Sequence, residues 1–524
     1  MTSVEQLLSQ VEKQFGAAKT IDLLRDLGAH PTKLDSGEPP DTGSINTNAR
    51  IIVIGAGVAG LTLTYELEKK GANVELWEAT AKVGGRNRSV RNGEELEEIG
   101  HPNQVCNLPS QEYLNAGPGR ISHHHRAVMH YCKQFSLTLK PYQTLNRAAL
   151  LHRHIPELKR DIIVRNRQVQ FDGQGRIGEI AAKVGPWFKT NGPVNKELED
   201  ALRDWLHDNF EVDQDRNGEW KYHPSGRSGY SIGRGGAKDH GMQEKPITLE
   251  QILGLRLWYD DPRRSPDVID EQLSMFELEG GNDGLVRALA KKIKHKLKLN
   301  RKLKKLIRNH DGTVILEAMD NEKGEIRVVA DRVILAMQPQ AMTDMELDLP
   351  EPIKEALRDL PGRYAVKVAG WMKRRFWEDD LAIYGGITFT NMPNQQIWYP
   401  NSGFHDQKGG LLVLAYAALN HGKMLGELPP SERCKATVEL SKRIHPQITE
   451  EIDLNSLITI AWQNVPYIRS PWVAWTPDRY QRWFKEITKP MGSVAFAGDW
   501  CSHLPAWQEG AVRSAYSLLP WATK

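Results

Sequence analysis

Cysteine is scarce in this chain. Among 524 residues there are four, Cys106, Cys132, Cys434 and Cys501, too scattered for a CxxC pair or a zinc-ligand spacing, so a reduced, cytoplasmic setting is expected. A dominant charge is missing as well. Lys and Arg number 69 against 66 Asp and Glu, and the net charge of +3 is too small to predict a nucleic-acid partner. No run reaches the roughly 18 apolar residues of a membrane span. The N-terminus has neither the basic nor the apolar region of a signal peptide. Internal repeats and low-complexity tracts are absent too.

What is present is ordinary for a globular protein: 40% hydrophobic and 26% charged residues over a length that predicts two or three domains. Val4, Leu7, Leu8, Val11 and Phe15 predict an amphipathic N-terminal helix. A linker follows over 30–48, with its Pro39-Pro40 pair. The basic run from Lys291 to Arg308 interleaves Ile and Leu with its cations and reads as a solvated helix face leading into a strand. His123, His124 and His125 are consecutive, and consecutive helical residues diverge, so the triplet predicts no metal site. The pairs Asp260-Asp261 and Asp379-Asp380 read as solvated turns.

The most informative stretch is RIIVIGAGVAGLTLTYELEKKGANVELWEATAKVGGR, from Arg50 to Arg86. An apolar strand breaks into Gly55, Gly57 and Gly60 and opens an apolar-periodic helix that includes Ala59. Gly55 allows the tight turn, Gly57 lets a phosphate approach bare backbone, and Gly60 lets helix and strand pack closely. A second strand ends at Glu78, an acid placed to accept from a ribose hydroxyl pair. FAD and NAD both satisfy this pattern. Gly84, Gly85 and Arg86 favour the larger cofactor, since a guanidinium can neutralise a pyrophosphate that the glycines admit closely.

In that context the Gly-Gly-Arg turn resembles the FAD-binding amine oxidases. From about residue 48 to the C-terminus the chain resembles their flavin-dependent L-amino acid oxidase branch through further blocks: NAGPGRIS, GGNDGLVRAL, KVAGWMKRRFWEDD, LLVLAYAALN, and AGDW followed by LPAWQEGAVRSA. The resemblance implies an α/β fold: a Rossmann-like FAD domain of the glutathione reductase type, discontinuous in sequence, beside a mixed-sheet substrate domain with a helical insertion. The expected divisions are 48–88, 276–345 and 485–524 for FAD; 89–145, 246–275 and 346–484 for substrate; and 146–245 for the insertion. Residues 1–47 lie outside it.

The same resemblance implies site residues. Gly117 and Gly119 turn a strand and present Arg120, whose planar fork matches a carboxylate. Arg120 is therefore expected at both substrate and cofactor, and Tyr416 is expected to bond the same carboxylate. Lys367 lies on an apolar strand, where burial removes charge, and the family lysine holds a water near the flavin. Gly498 and Asp499 are expected at the ribityl chain. Ala506 and Trp507 wall the substrate, and the backbone at Gly510 and Ala511 aims a helix N-terminus at the ring. Among the six C-terminal tryptophans, only Trp507 and one of Trp462 or Trp475 are expected at the pocket. Ser470-Pro471 departs from the Gly-containing turn of related oxidases.

The expected activity is oxidation of an L-amino acid by FAD and molecular oxygen to 2-oxo acid, ammonia and hydrogen peroxide. The expected protein is a homo-oligomer without metal, membrane or nucleic acid. Acids of the insertion (Glu197, Glu199, Asp200, Asp204, Asp208) lean the side-chain preference toward arginine or another basic or bulky residue. An L-amino acid 2-monooxygenase, decarboxylating to an amide, shares the same motifs. A non-catalytic FAD scaffold is the reading from another class.

Overall fold

A computed structural model describes residue 13 and residues 36–43, 47–184, 196–223, 226–235, 238–257 and 274–524. The expected N-terminal helix and Asp260-Asp261 lie outside the described residues.

The chain's most apolar short strands meet in one parallel sheet of five. Its order is Leu297–Lys298, Asn73–Trp77, Arg50–Ile54, Arg332–Leu335 and Val494–Phe496, with every pairing parallel. Parallel strands buried on both faces require continuous apolar sequence, and Ile51 to Val53 and Val333 to Leu335 are fully buried. The helix Val58–Lys69 covers one face and packs with the C-terminal helix Gln508–Ala522 in a shared core through Leu61, Leu63, Val512 and Ala515. Strands from three distant parts of the sequence thus complete one parallel sheet. A four-stranded sheet of 324–330, 314–320, 301–308 and 346–347 adjoins it.

The second large sheet has seven strands, in the order 160–165, 150–155, 387–390, 396–398, 410–418, 365–372, 452–461. It is mixed, with one parallel pairing between 387–390 and 150–155. The stretch expected to open the insertion, from 146, contains two strands: Leu150–Ile155 and Arg160–Arg165 pair antiparallel and form the sheet's edge. Helices follow at Asn166–Val184, Lys196–Phe210 and Leu249–Gly254, the last with a Thr248–Gln251 capping box that satisfies its first amides. The glycine-rich 224–241 stretch is described in part, and Tyr230–Ile232 pairs with Met242–Gln243.

The basic run ends a helix at Lys292 and continues into the strands Leu297–Lys298 and Arg301–Arg308. Asp379 and Asp380 close the short helix Phe376–Asp379 and hold Arg374. All four cysteines are buried thiols. Among the described residues no helix is long and apolar enough to cross a membrane.

Candidate active site

The two sheets enclose a cavity of about 1380 Å³ that runs from the Gly55–Gly57 turn to Lys367 and Tyr416. The glycines at its first end differ in their surroundings. Gly55 has φ +106, and Gly60 packs so closely that a Cβ would lie 2.0 Å from the Gly55 carbonyl oxygen. A Cβ on Gly57 would meet nothing within 4 Å, and Gly57 lines the cavity beside Ala59 and Gly85. That is an open cradle at a helix N-terminus, suited to phosphate. Glu78 accepts from Ala56 N at 2.9 Å and Thr80 N at 3.0 Å. Burial raises its carboxyl pKa against those hydrogen bonds.

Two amides supply a further test of fit. Asn87 is 4% exposed and Gln508 7%. Both line the cavity, yet neither Asn87 amide atom nor Gln508 Nε2 has a hydrogen-bond partner within the described protein. Buried amides left so are costly, and a polar cofactor lying along the cavity would satisfy them. Arg86, expected to face a pyrophosphate, pairs with Asp499, and its Nη1 also donates to the Pro471 carbonyl at 2.7 Å. Ser470-Pro471 thus serves as an anchor: Ser470 Oγ accepts from Arg363 N at 3.0 Å. Asp499 Oδ2 also accepts from Ala506 N at 2.8 Å, which holds Ala506 at a left-handed φ of +71. Such strain in a non-glycine residue concentrates at functional sites.

Of the expected site residues, Gly60 and Gly510 alone stand outside the cavity lining. Gly510 is needed for packing, since a Cβ there would lie 2.0 Å from the Leu504 carbonyl oxygen; its neighbour Ala511 does line the cavity. Gly117 and Gly119 are equally tight. Their Cβ positions fall 1.9 Å from the Arg86 carbonyl oxygen and 2.6 Å from the Trp398 ring. Gly498 gives its amide to Ser514 Oγ at 2.9 Å.

At the far end, register decides what meets. Lys367 on strand Ala365–Met372 pairs directly with Tyr416 on Gly410–Ala418. Lys367 Nζ donates to the carbonyls of Asn115 and Gly117, both at 2.6 Å, and lies 4.7 Å from the Trp398 ring and 5.5 Å from the Tyr416 ring. Burial first, then the charge of Arg120, lowers its pKa to about 7. Tyr416 meets Trp398 edge-to-face at 4.9 Å. The guanidinium of Arg120 lies 5.4 Å from the Trp507 ring centre.

Two features of the lining, and one beside it, were not expected from sequence. Trp398 and Gln396 stand on one strand and share a 2.6 Å hydrogen bond, with Ile387 and Phe389 beside them on the next. Trp472 and Trp500 line the cavity along with Trp462, Trp475 and Trp507, a correction to the smaller set expected. The histidine triplet sits in the turn before the helix Arg126–Gln134 rather than on it, and His125 packs edge-on to Trp507 at 4.8 Å.

A profile described as "Flavin containing amine oxidoreductase" matches residues 58–517, most of the chain. The chain belongs to that family. Its cofactor is accordingly FAD, and it is an FAD-dependent oxidase. The chain is 26% identical over 470 residues to an L-amino-acid oxidase of Vipera ammodytes ammodytes, covering 88% of this chain and 90% of that protein. It is 25% identical to L-amino-acid oxidase BmooLAAO-I of Bothrops moojeni, covering 89% and 87%. Among solved structures, wild-type putrescine oxidase bound to putrescine aligns with a TM-score of 0.57 at 17% identity, covering 89% of this chain and 97% of that one. Cyclohexylamine oxidase from Brevibacterium oxydans IH-35A aligns with a TM-score of 0.57 at 16% identity, with the same coverage. These structural likenesses concern the fold.

Proposed function

We propose that this oxidase acts on L-amino acids, releasing a 2-oxo acid, ammonia and hydrogen peroxide. The observation that carries the reading is one cavity holding both the Gly57 cradle and a cationic-aromatic end built from Arg120, Trp507, Lys367 and Tyr416. The names of the Vipera and Bothrops relatives agree with it. FAD, when bound, would supply the two-electron oxidation of the Cα–N bond, with oxygen as the electron acceptor. Arg120 offers the α-carboxylate two parallel donors, and Tyr416 adds a hydroxyl from the facing strand. Lys367, whose pKa burial and then the charge of Arg120 lower to about 7, holds the water that hydrolyses the imine. Overall, one amino acid, one oxygen and one water become one 2-oxo acid, one ammonia and one hydrogen peroxide.

The side chain this pocket favours is bulky and uncharged rather than basic. A desolvated guanidinium requires a buried carboxylate of its own. Among the described residues the carboxylates lining the cavity are Glu78, Glu94, Asp283 and Asp499. Each is engaged: Glu78 by Ala56 and Thr80, Glu94 by Lys82, Asp283 by Arg91 and Asp499 by Arg86. Of the five acids that suggested arginine, Asp200, Asp204 and Asp208 are exposed on the helix Lys196–Phe210 and outside the lining, and the side chains of Glu197 and Glu199 lie outside what the structure describes. Ile387, Phe389 and Trp398 form the wall instead.

The test is anaerobic mixing of the yellow protein with each L-amino acid, followed by air and product analysis. Faster bleaching by phenylalanine or leucine than by arginine, then peroxide and 2-oxo acid, is the expected result. Faster bleaching by arginine reverses the side-chain assignment. An amide with carbon dioxide would make the protein a monooxygenase, and no bleaching by any amino acid would remove the reading.

A further inference from the structure

The helix Arg126–Gln134 has no cap of its own. Its N-cap residue is His125, whose side chain makes no capping hydrogen bond. The helix's first amides are met from a distant part of the chain: Ala127 N donates to Glu509 Oε1 at 3.0 Å, and Val128 N to Glu509 Oε2 at 2.9 Å. A carboxylate only 2% exposed therefore sits on the positive end of a helix to which it does not belong. Arg513, one turn along the C-terminal helix, donates its Nε to Glu509 Oε1 at 2.8 Å and supplies the compensating charge a buried carboxylate needs.

Both ends of this staple lead to the substrate. Arg120 stands just before the strand Ile121–Ser122 and the turn that starts the capped helix. Trp507 is the N-cap of Gln508–Ala522, two residues before Glu509. A second contact joins the same two ends, since His125 meets the Trp507 ring edge-on at 4.8 Å. Between them the Arg120 guanidinium rests 5.4 Å from that ring.

We propose that Glu509 is a positioning residue. By capping the helix Arg126–Gln134 in trans it fixes the separation of Arg120 from Trp507, and so the width of the slot that takes the substrate carboxylate. The proposal rests on Arg120 being the carboxylate anchor. Glu509→Gln keeps the side chain's shape and one acceptor. It loses the charge at the helix terminus and turns an NH2 donor toward a backbone N–H, which is repelled. The slot then widens without any loss of a group that touches substrate.

The experiment compares four flavin-loaded variants with wild type: Glu509→Gln, His125→Leu, Arg120→Ala and Tyr131→Phe. Tyr131→Phe is the control for a purely structural effect, because it removes a buried 2.8 Å hydrogen bond from the same helix to Glu66. Readouts are melting temperature, the split between KM and kcat, and the Kd of benzoate as a bare carboxylate probe, followed through flavin absorption. Glu509→Gln should raise both benzoate Kd and KM about five- to tenfold with kcat within about twofold, and His125→Leu should do the same. Tyr131→Phe should lower the melting temperature and leave both constants unchanged. Benzoate constants in Glu509→Gln and His125→Leu equal to those of Tyr131→Phe, with Arg120→Ala weakened, overturn the proposal and leave the carboxylate anchor standing. An unchanged constant in Arg120→Ala overturns the anchor and the proposal together. If Glu509→Gln does not fold, His125→Leu decides by the same criteria.

Discussion

The guanidinium of Arg120 lies 5.4 Å from the centre of the Trp507 ring, across a gap between residues nearly four hundred positions apart in sequence. An arginine over an aromatic face keeps its plane fixed and its donor edge available. The same contact places a cation and an apolar wall on one slot. A zwitterionic substrate needs that combination, because its carboxylate must be held while its side chain is dehydrated.

Arg120→Ala should therefore leave flavin content unchanged and raise KM for every amino acid accepted. A charge-assisted pair of hydrogen bonds contributes about 2–3 kcal/mol, equivalent to about 30- to 150-fold in KM. Steady-state kinetics across several amino acids checks this. A rise confined to one substrate would assign Arg120 to the side chain instead.

Lys367 predicts a pH dependence. Its pKa is lowered to about 7 by burial and then by Arg120, so the ammonium form prevails below neutrality and the amine above. A neutral amine can take a proton from the hydrolytic water and an ammonium cannot. Turnover should rise through a limb near pH 7. Lys367→Met should lose that limb, retain flavin, and keep any limb belonging to the substrate amine. A variant whose profile overlays the wild type would make Lys367 structural.

Glu78 gives a second dependence, in which the same cause, burial, shifts the pKa in the opposite direction. Burial raises its carboxyl pKa, and flavin binding to the ionised form makes cofactor affinity fall as pH falls through that value. Glu78→Ala should lower flavin occupancy at neutral pH. Glu78→Gln should bind flavin more weakly than wild type and lose the acid-induced weakening, as measured by the ratio of flavin to protein after dialysis at a series of pH values.

The sequence was most readable where the physics is local. The turn around Gly55, Gly57 and Gly60 is set by backbone conformation and close approach within a few residues, and the structure has Gly55 at a positive φ, Gly60 tightly packed and Gly57 open. Lys367 and Tyr416 were legible by family resemblance, but their direct pairing is a matter of strand register. Less readable were groups joined across the chain. Arg86 pairs with Asp499 at a separation of 413 residues, and the Glu509 cap on Ala127 spans 382. No local pattern marks either, although Glu509 lies within a motif already noticeable for its glycine and tryptophan. The sequence places 150–155 and 160–165 within a helical insertion, and the structure makes the second an edge strand with an exposed and intermediate pattern. A half-solvated strand rich in Arg and Asp lacks the apolar alternation that separates strand from helix. Trp398 carried no signal either, since what brings it to the cavity beside Lys367 and Tyr416 is the pairing of other strands.

Two alanine substitutions three residues apart should separate cofactor contact from packing. At Gly57 an added Cβ meets nothing within 4 Å of protein, so Gly57→Ala should fold with a nearly unchanged melting temperature when prepared without flavin. The methyl group would stand where the phosphate must approach, and flavin occupancy should fall sharply. At Gly60 the same group would lie 2.0 Å from the Gly55 carbonyl oxygen. Helix and strand must then move apart, and overpacking of this kind costs about 1–3 kcal/mol. Gly60→Ala should therefore lower stability whether or not flavin is present. Calorimetry of the flavin-free proteins beside their flavin titrations gives both quantities. A Gly57→Ala protein that retains its full flavin complement would place the phosphates away from this turn, whatever its sequence pattern.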